Sequence, residues 1–357
     1  MTGLLALDLF CGCGGFSLGF EMAGIDVLAG VDIDGDCLKT YARNLRGKAI
    51  QADIAGIKDP EEFVKHHLGN HDIDIIFGSP PCQPFSPAGI VKLKSLGVDP
   101  SIDPRLGLWQ YFVKFVISLK PCFFVMENVP GFLSAGIPDK IIEITGEHGY
   151  RCEVAKLDAS KFGVPQKRRR VFVFGSLDGR IVLPEGDGNV VTVYDAISDL
   201  PEIPHGNRVN VMEYDRDPIT DYQKRMREHS QLLYNHVTRS HNVMDLQIFA
   251  LIPEGGTYLD VPVEMRRYRD DVFHDRYRRL RWDAPSWTLV AHMGKDTLRY
   301  VHPSQVRTIS VREAARLQSF PDTFIFPVSM TKAFKQIGNA VPPLLARAVG
   351  ESLVRCL

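Results

Sequence analysis

Through the first 175 residues, short apolar runs alternate with amphipathic stretches, and this rhythm constrains the fold more than any other feature. Leu4–Phe10, Val27–Asp32, Ala49–Ile54, Ile73–Gly78 and Cys122–Glu127 read as buried strands, rich in Val, Ile, Leu and Phe. Phe16–Ala23, Cys37–Leu45, Glu61–Leu68 and Trp109–Leu119 read as the helices between them. Strand–helix repetition at this spacing implies an α/β fold, a mostly parallel sheet with helices on both faces. Such sheets bind ligands beyond the carboxyl ends of their strands.

Around Pro184 the rhythm fades, and to about Gln305 prolines, glycines and charges are scattered without periodicity. Within that block, Arg266–Trp282 mixes arginines with Tyr268, Phe273, Tyr277 and Trp282. A charge run of this kind is a solvated face, or a surface suited to phosphate contact and base stacking. Helical periodicity returns in Val311–Leu317 and Pro342–Leu357. The expected divisions are therefore residues 1–182, a block 183–306 without this rhythm, and a segment 307–357 where helical pattern resumes. A chain of 357 residues accommodates about two domains.

With 42 basic and 43 acidic residues the net charge is −1, so any surface for a polyanion must come from local clusters. No uncharged stretch approaches the ~20 residues of a membrane span. The N-terminus lacks a basic n-region, and Asp8 interrupts its apolar run. Seven cysteines without a paired CxxC spacing give no sign of zinc, and no metal is expected. These features point to a reduced, soluble, cytoplasmic protein.

The strand ends carry the chemistry. Asp8-Leu-Phe-Cys-Gly-Cys-Gly-Gly15 follows the first strand, its glycines allowing a tight turn and close ligand approach. A dinucleotide fingerprint fails here, because Gly12 and Gly14 fit but the third glycine position holds Ser17. Asp32 ends the second strand, where a carboxylate suits ribose hydroxyls, and Asp53-Ile54 ends the third. Either Asp could equally cap a helix, but three acidic strand ends in succession favour a nucleoside-containing cofactor. In Ser79-Pro-Pro-Cys82-Gln-Pro-Phe-Ser86 the prolines fix the direction of Cys82, a candidate nucleophile. Glu127, closing an apolar run, is a candidate proton donor. Arg168 and Arg170 fall on one face of an extended segment and suit a phosphate or polar base edge.

Taken in order, these blocks resemble the DNA (cytosine-5) methyltransferase family. The family's motifs stand as Asp8–Gly15, Pro80-Pro-Cys-Gln-Pro-Phe-Ser86, Glu127-Asn-Val129, Gln166-Lys-Arg-Arg-Arg170, Arg312-Glu-Ala-Ala-Arg-Leu-Gln-Ser-Phe-Pro-Asp322 and Gln336-Ile-Gly-Asn-Ala-Val341. The resemblance implies a Rossmann-like S-adenosyl-L-methionine-dependent methyltransferase domain with a smaller target-recognition domain. It assigns cofactor contacts to Asp8, Phe10, Gly12, Gly14, Gly15, Asp32, Ile33, Asp53, Ile54, Ser79, Pro81, Asn339 and Ala340. Cys82 matches the nucleophile, Glu127 the residue engaging cytosine, and Arg168 and Arg170 the basic residues near it. Gln83, Ser86, Arg105, Arg278, Arg279 and Arg281 are expected at DNA, as is the Thr288-Leu289 pair of the recognition region. The implied partners are S-adenosyl-L-methionine and double-stranded DNA, bound by a monomer, with room for a cognate restriction endonuclease. The same chemistry on RNA is the nearest rival. A non-catalytic homologue is disfavoured by the joint presence of Cys82, Glu127 and Arg170.

Overall fold

The computed structural model describes residues 3–81, 103–266 and 276–357. Two compact units emerge: residues 1–162, 169–186 and 341–357 form the first, and 163–168 with 187–340 the second. These boundaries differ from those read in the sequence, since residues 307–340 fall in the second unit. The reason is a buried ionic network. Arg316, with no exposed surface, binds Asp199 at 2.5 Å and Asp322 at 2.7 Å. Arg307 grips both carboxylate oxygens of Glu313, at 2.8 and 2.7 Å. Breaking buried pairs of this kind is strongly destabilising, so the helix Val311–Leu317 is bound to its own unit.

The first unit is built on a seven-stranded sheet. Strands β1 (Leu5–Leu9), β2 (Asp26–Asp32), β3 (Lys48–Gln51), β4 (Ile75–Gly78), β5 (Phe123–Asn128), β6 (Arg151–Asp158) and β8 (Arg169–Ser176) lie in the order β3-β2-β1-β4-β5-β8-β6. The short strand β7 (Gln166–Lys167) belongs to the second unit and pairs with Ser286–Trp287 there. Strands β3 through β5 are parallel, while β8 runs antiparallel to both neighbours. The expected helices appear as α1 (Gly15–Met22), α2 (Gly35–Asn44), α3 (Pro60–Leu68) and the helix Leu108–Leu119, each within two residues of the expected start. The expected strand over Ala49–Ile54 stops at Gln51, because Asp53 caps a single 3-10 turn, Ile54–Gly56.

Side-chain alternation covers both sheet faces. Ile76 and Val173 enter one apolar cluster with Trp109, Phe112, Val113 and Ile141 of the helices on that side. Their neighbours Phe77 and Phe172 point the opposite way, against Phe16 and, for Phe77, Phe20 of α1. The C-terminal helix Pro343–Val354 packs on α1 at Gly19, where a Cβ would lie 2.3 Å from that of Ala346. Strand order reverses between β1 and β4, which makes the carboxyl ends of these two strands the natural ligand crevice.

The second unit contains ordered elements in the stretch that reads as patternless, among them helices Asp221–Arg227 and Val243–Leu251. Ile248, Phe249, Tyr258, Tyr277 and Val301 form its own buried cluster. Among the described residues no helix is long and apolar enough to cross a membrane.

Candidate active site

At the β1–β4 switch the chain leaves β1 through a turn that needs left-handed backbone at Phe10, Gly12 and Gly14, with φ of 62°, 55° and 93°. Gly14 admits no side chain, since a Cβ would sit 2.2 Å from Leu45 Cδ1. Gly12, by contrast, has nothing within 4 Å of its missing Cβ, so the turn presents open backbone. The turn is pinned from beside it: Asp32 accepts the Gly12 N–H at 2.8 Å and the Asp34 N–H at 2.8 Å. Burial is the main influence on Asp32 and raises its carboxyl above the usual range.

Beneath the turn runs a buried polar chain that sequence reasoning missed. Tyr41 donates to Ser17 at 3.1 Å, and Ser17 donates to Asp8 at 2.5 Å. Ser17 is therefore not a defective glycine of a dinucleotide fingerprint; its hydroxyl serves Asp8. Burial holds the Asp8 carboxyl well above its ordinary value. Asp8 Oδ1 and Ser79 Oγ, at the ends of β1 and β4, are buried without a hydrogen-bond partner among the described residues. Such orphaned polar atoms are uncommon enough in folded proteins to mark a site.

The other expected cofactor residues of the first unit follow β2, β3 and β4 or open α1. Ile33 is exposed, Ile54 is buried in the core, and Asp53 is exposed while its carboxylate caps the Ala55 N–H. Gly15 opens α1, and Pro81 is half-buried. Asn339 and Ala340 belong to the second unit, ending the helix Met330–Asn339.

A second cluster of the first unit is set by β5 and β8. Antiparallel register places Glu127 opposite Phe172 and the strand ends together. There Arg170 Nε binds Glu127 Oε1 at 2.9 Å, with both side chains largely buried. Asn128 next to it donates to the Pro80 carbonyl at 3.1 Å, tying the β5 end to the Pro80-Pro81 turn that precedes Cys82. The Glu-Asn pair of the motif was the available signal for Asn128. Cys82, Gln83 and Ser86 lie outside the described residues.

Three expected contact residues have other duties. Arg168 falls in the second unit and Arg170 in the first: Arg168 is buried and donates to the carbonyls of Leu289 at 2.7 Å, Gly338 at 3.0 Å and Ala340 at 3.0 Å. The two-residue alternation fails because the chain passes from one unit to the other at Arg168/Arg169. Arg279 is likewise interior, donating to the carbonyls of Ile252, Phe249 and His302. Leu289 is fully buried, its N–H held by Gln166 at 2.9 Å. Of the rest, Thr288 donates to Lys167 O at 2.7 Å, and Arg278 lies 3.9 Å over the Trp287 ring. Arg281 pairs with Asp283 at 2.7 Å and Arg105 with Asp103 at 2.5 Å. Among the described residues no cluster could hold a metal ion.

The model of the C-5 cytosine-specific DNA methylase family matches residues 4–355. The chain belongs to this family. Its sequence is 34% identical to the type II methyltransferase M.AgeI of Thalassovita gelatinovora, over 97% of this chain and 98% of that protein. It is 36% identical to M.DdeI of Desulfomicrobium norvegicum, over 97% of this chain and 88% of that protein. Its fold is similar to a solved Escherichia coli prophage-encoded protein described as a DNA modification methyltransferase, with a TM-score of 0.80, 28% identity and 99% coverage of both chains. This methylase thus acts at C5 of cytosine in DNA, and its seven-stranded Rossmann-like unit is the fold of that chemistry.

Proposed function

We propose that the chain binds S-adenosyl-L-methionine at the β1–β4 switch and methylates an extruded cytosine of double-stranded DNA, with Cys82 as nucleophile. The observation that carries this reading is the Glu127–Arg170 pair at the end of β5, beside a proline turn anchored by Asn128. The strand-end residues fit the cofactor: open backbone at Gly12, orphaned oxygens on Asp8 and Ser79, and carboxylates at Asp32 and Asp53. When bound, the cofactor supplies an electrophilic methyl on a sulfonium.

C5 of cytosine is a weak nucleophile. Addition of the Cys82 thiolate at C6 makes C5 enamine-like. Arg170 holds Oε1 of Glu127, leaving Oε2 to carry a proton to N3, which takes up the charge pushed into the ring by thiolate addition. After methylation, loss of the C5 proton and expulsion of Cys82 restore the aromatic product. The target atom is inaccessible in a duplex stack, so the base must be flipped out, at a cost of a few kcal/mol. The second unit supplies recognition, with Thr288, Arg278 and Arg281 as its DNA contacts, and the enzyme works as a monomer, in the cytoplasm, alongside a cognate endonuclease.

The test is covalent trapping on a duplex carrying 5-fluorocytosine at the target, whose site is first found by bisulfite sequencing of DNA from expressing cells. Fluorine at C5 cannot leave as a proton would, so a stable adduct is expected on Cys82. Absence of an adduct on a methylatable site overturns the assignment.

A further inference from the structure

Within the second unit, a cleft of about 320 Å³ is lined by Arg208, Arg239, Ser240, Ser329, Met330 and Thr331. No acid is among these lining residues. Arg208 is exposed and makes no hydrogen bond or ion pair with the described residues. Arg239 is anchored, donating to the carbonyls of Met293 at 2.9 Å and Gly294 at 2.8 Å, while its Nε is buried without a partner among the described residues. Asp296, whose charge acts on Arg239, is already engaged by His292 at 3.0 Å and Arg276 at 3.8 Å.

The remaining wall is the start of the helix Met330–Asn339. Its N-cap, Ser329, makes no side-chain capping bond, and its first turn carries no acid. A helix start left this way keeps its partial positive charge uncompensated. Two guanidiniums, three hydroxyls and that helix end thus converge on one cleft with nothing anionic in it. Burial lowers the Arg239 pKa; Asp296 opposes this, and repulsion from Arg208, the other cation lining the cleft, adds to the lowering.

We infer that this cleft receives a backbone phosphodiester of the DNA substrate, with Arg208 and Arg239 as its ligands. The inference rests on the DNA-methylating reading above and adds a sequence-independent anchor to it. Phosphate contacts of this type fix register on the duplex without reading bases.

The experiment is duplex binding by the full-length protein across a salt series, for wild type, Arg208→Gln and Arg208→Lys. Arg208→Gln is the primary variant because that side chain is exposed. Loss of one phosphate contact should lower the slope of log K against log salt by about 1. Binding should weaken by about 5–10-fold for cognate and unrelated duplexes alike, and Arg208→Lys should recover most of both effects. An unchanged slope and affinity in Arg208→Gln overturns the proposal. So does stabilisation of wild type by inorganic phosphate, absent in Arg208→Gln, when the DNA slope is unaltered; the cleft then serves a free anion. If wild type itself neither methylates nor binds duplex DNA, the functional reading fails, and this inference with it.

Discussion

Substituting Arg170 by glutamine removes the cation that faces Glu127 while keeping most of the side chain's bulk. Only 13% of the Arg170 side chain and 8% of the Glu127 side chain are exposed, so solvent screens the pair poorly. Removing one partner of a buried pair costs about 3–5 kcal/mol. Residual exposure argues for the lower end, about 3 kcal/mol, or a fall in melting temperature of about 5–10 °C. If that loss comes from stranding Glu127, then Glu127→Gln in the same molecule should return part of it. A thermal double-mutant cycle should therefore give a coupling of about 2 kcal/mol. Kinetics follow the same logic. Glu127→Gln should lower kcat about 10²–10³-fold by losing stabilisation of the attacked ring, and Arg170→Gln about 10²-fold by misorienting the same carboxyl. Residues acting as one unit are non-additive, so the double variant should be within a few-fold of Glu127→Gln alone. Kinetic losses that simply multiply, or a melting curve untouched by Arg170→Gln, would refute the claim that Arg170 acts through Glu127.

Gly14→Ala should destabilise by about 1–3 kcal/mol and weaken methyl-donor binding measured calorimetrically, because the left-handed backbone and Leu45 both oppose a Cβ. Arg279→Gln should lower the melting temperature yet leave the salt slope of DNA binding unaltered, since its guanidinium is held by interior carbonyls. Burial pushes His302 down to about 3 and His236 down to about 4. Both stay neutral when folded and are protonated first in the unfolded chain, so their stabilisation is complete above about pH 6.5 and lost as pH falls toward 4. Melting temperature should decline across that window, and His302→Gln should flatten part of the decline. The Asp8 carboxyl is shifted the other way by burial, so its stabilisation is full below about pH 4 and fades as pH rises. Asp8→Asn should accordingly gain on wild type with increasing pH in the same melting assay.

Much of the first unit was legible because β1, β2, β4 and β5 are buried strands whose apolar runs exceed local ambiguity. Two elements escaped that reading. Strand β6 has one neighbour, β8, and its pattern of half-buried residues gives no clean apolar run. The helix Ile137–Gly146 follows a short helix at Pro130, and Gly136 and Pro138 at its start break any apolar periodicity. Within the site, residue types at strand ends were readable, but their partners were not. Arg168 and Arg170 look alike in sequence, yet one satisfies three carbonyls and the other a carboxylate. Contacts separated by 121 to 172 residues leave no periodic trace. In the second unit, buried cations such as Arg279 and Arg307 imitate a basic surface run when only composition is visible.

The polypeptide passes between the two units at residues 162/163, 168/169, 186/187 and 340/341. Neither unit is a contiguous stretch, and the hexapeptide Gly163–Arg168 belongs with the distant 187–340 block. Replacing the 187–340 block alone would therefore separate Arg168 from the carbonyls it binds. A viable chimera must bring replacement carbonyls at the places of Leu289, Gly338 and Ala340, or exchange the hexapeptide along with the block. Modular exchange in such a chain is limited by an arginine whose hydrogen bonds run to carbonyls 121 to 172 residues away.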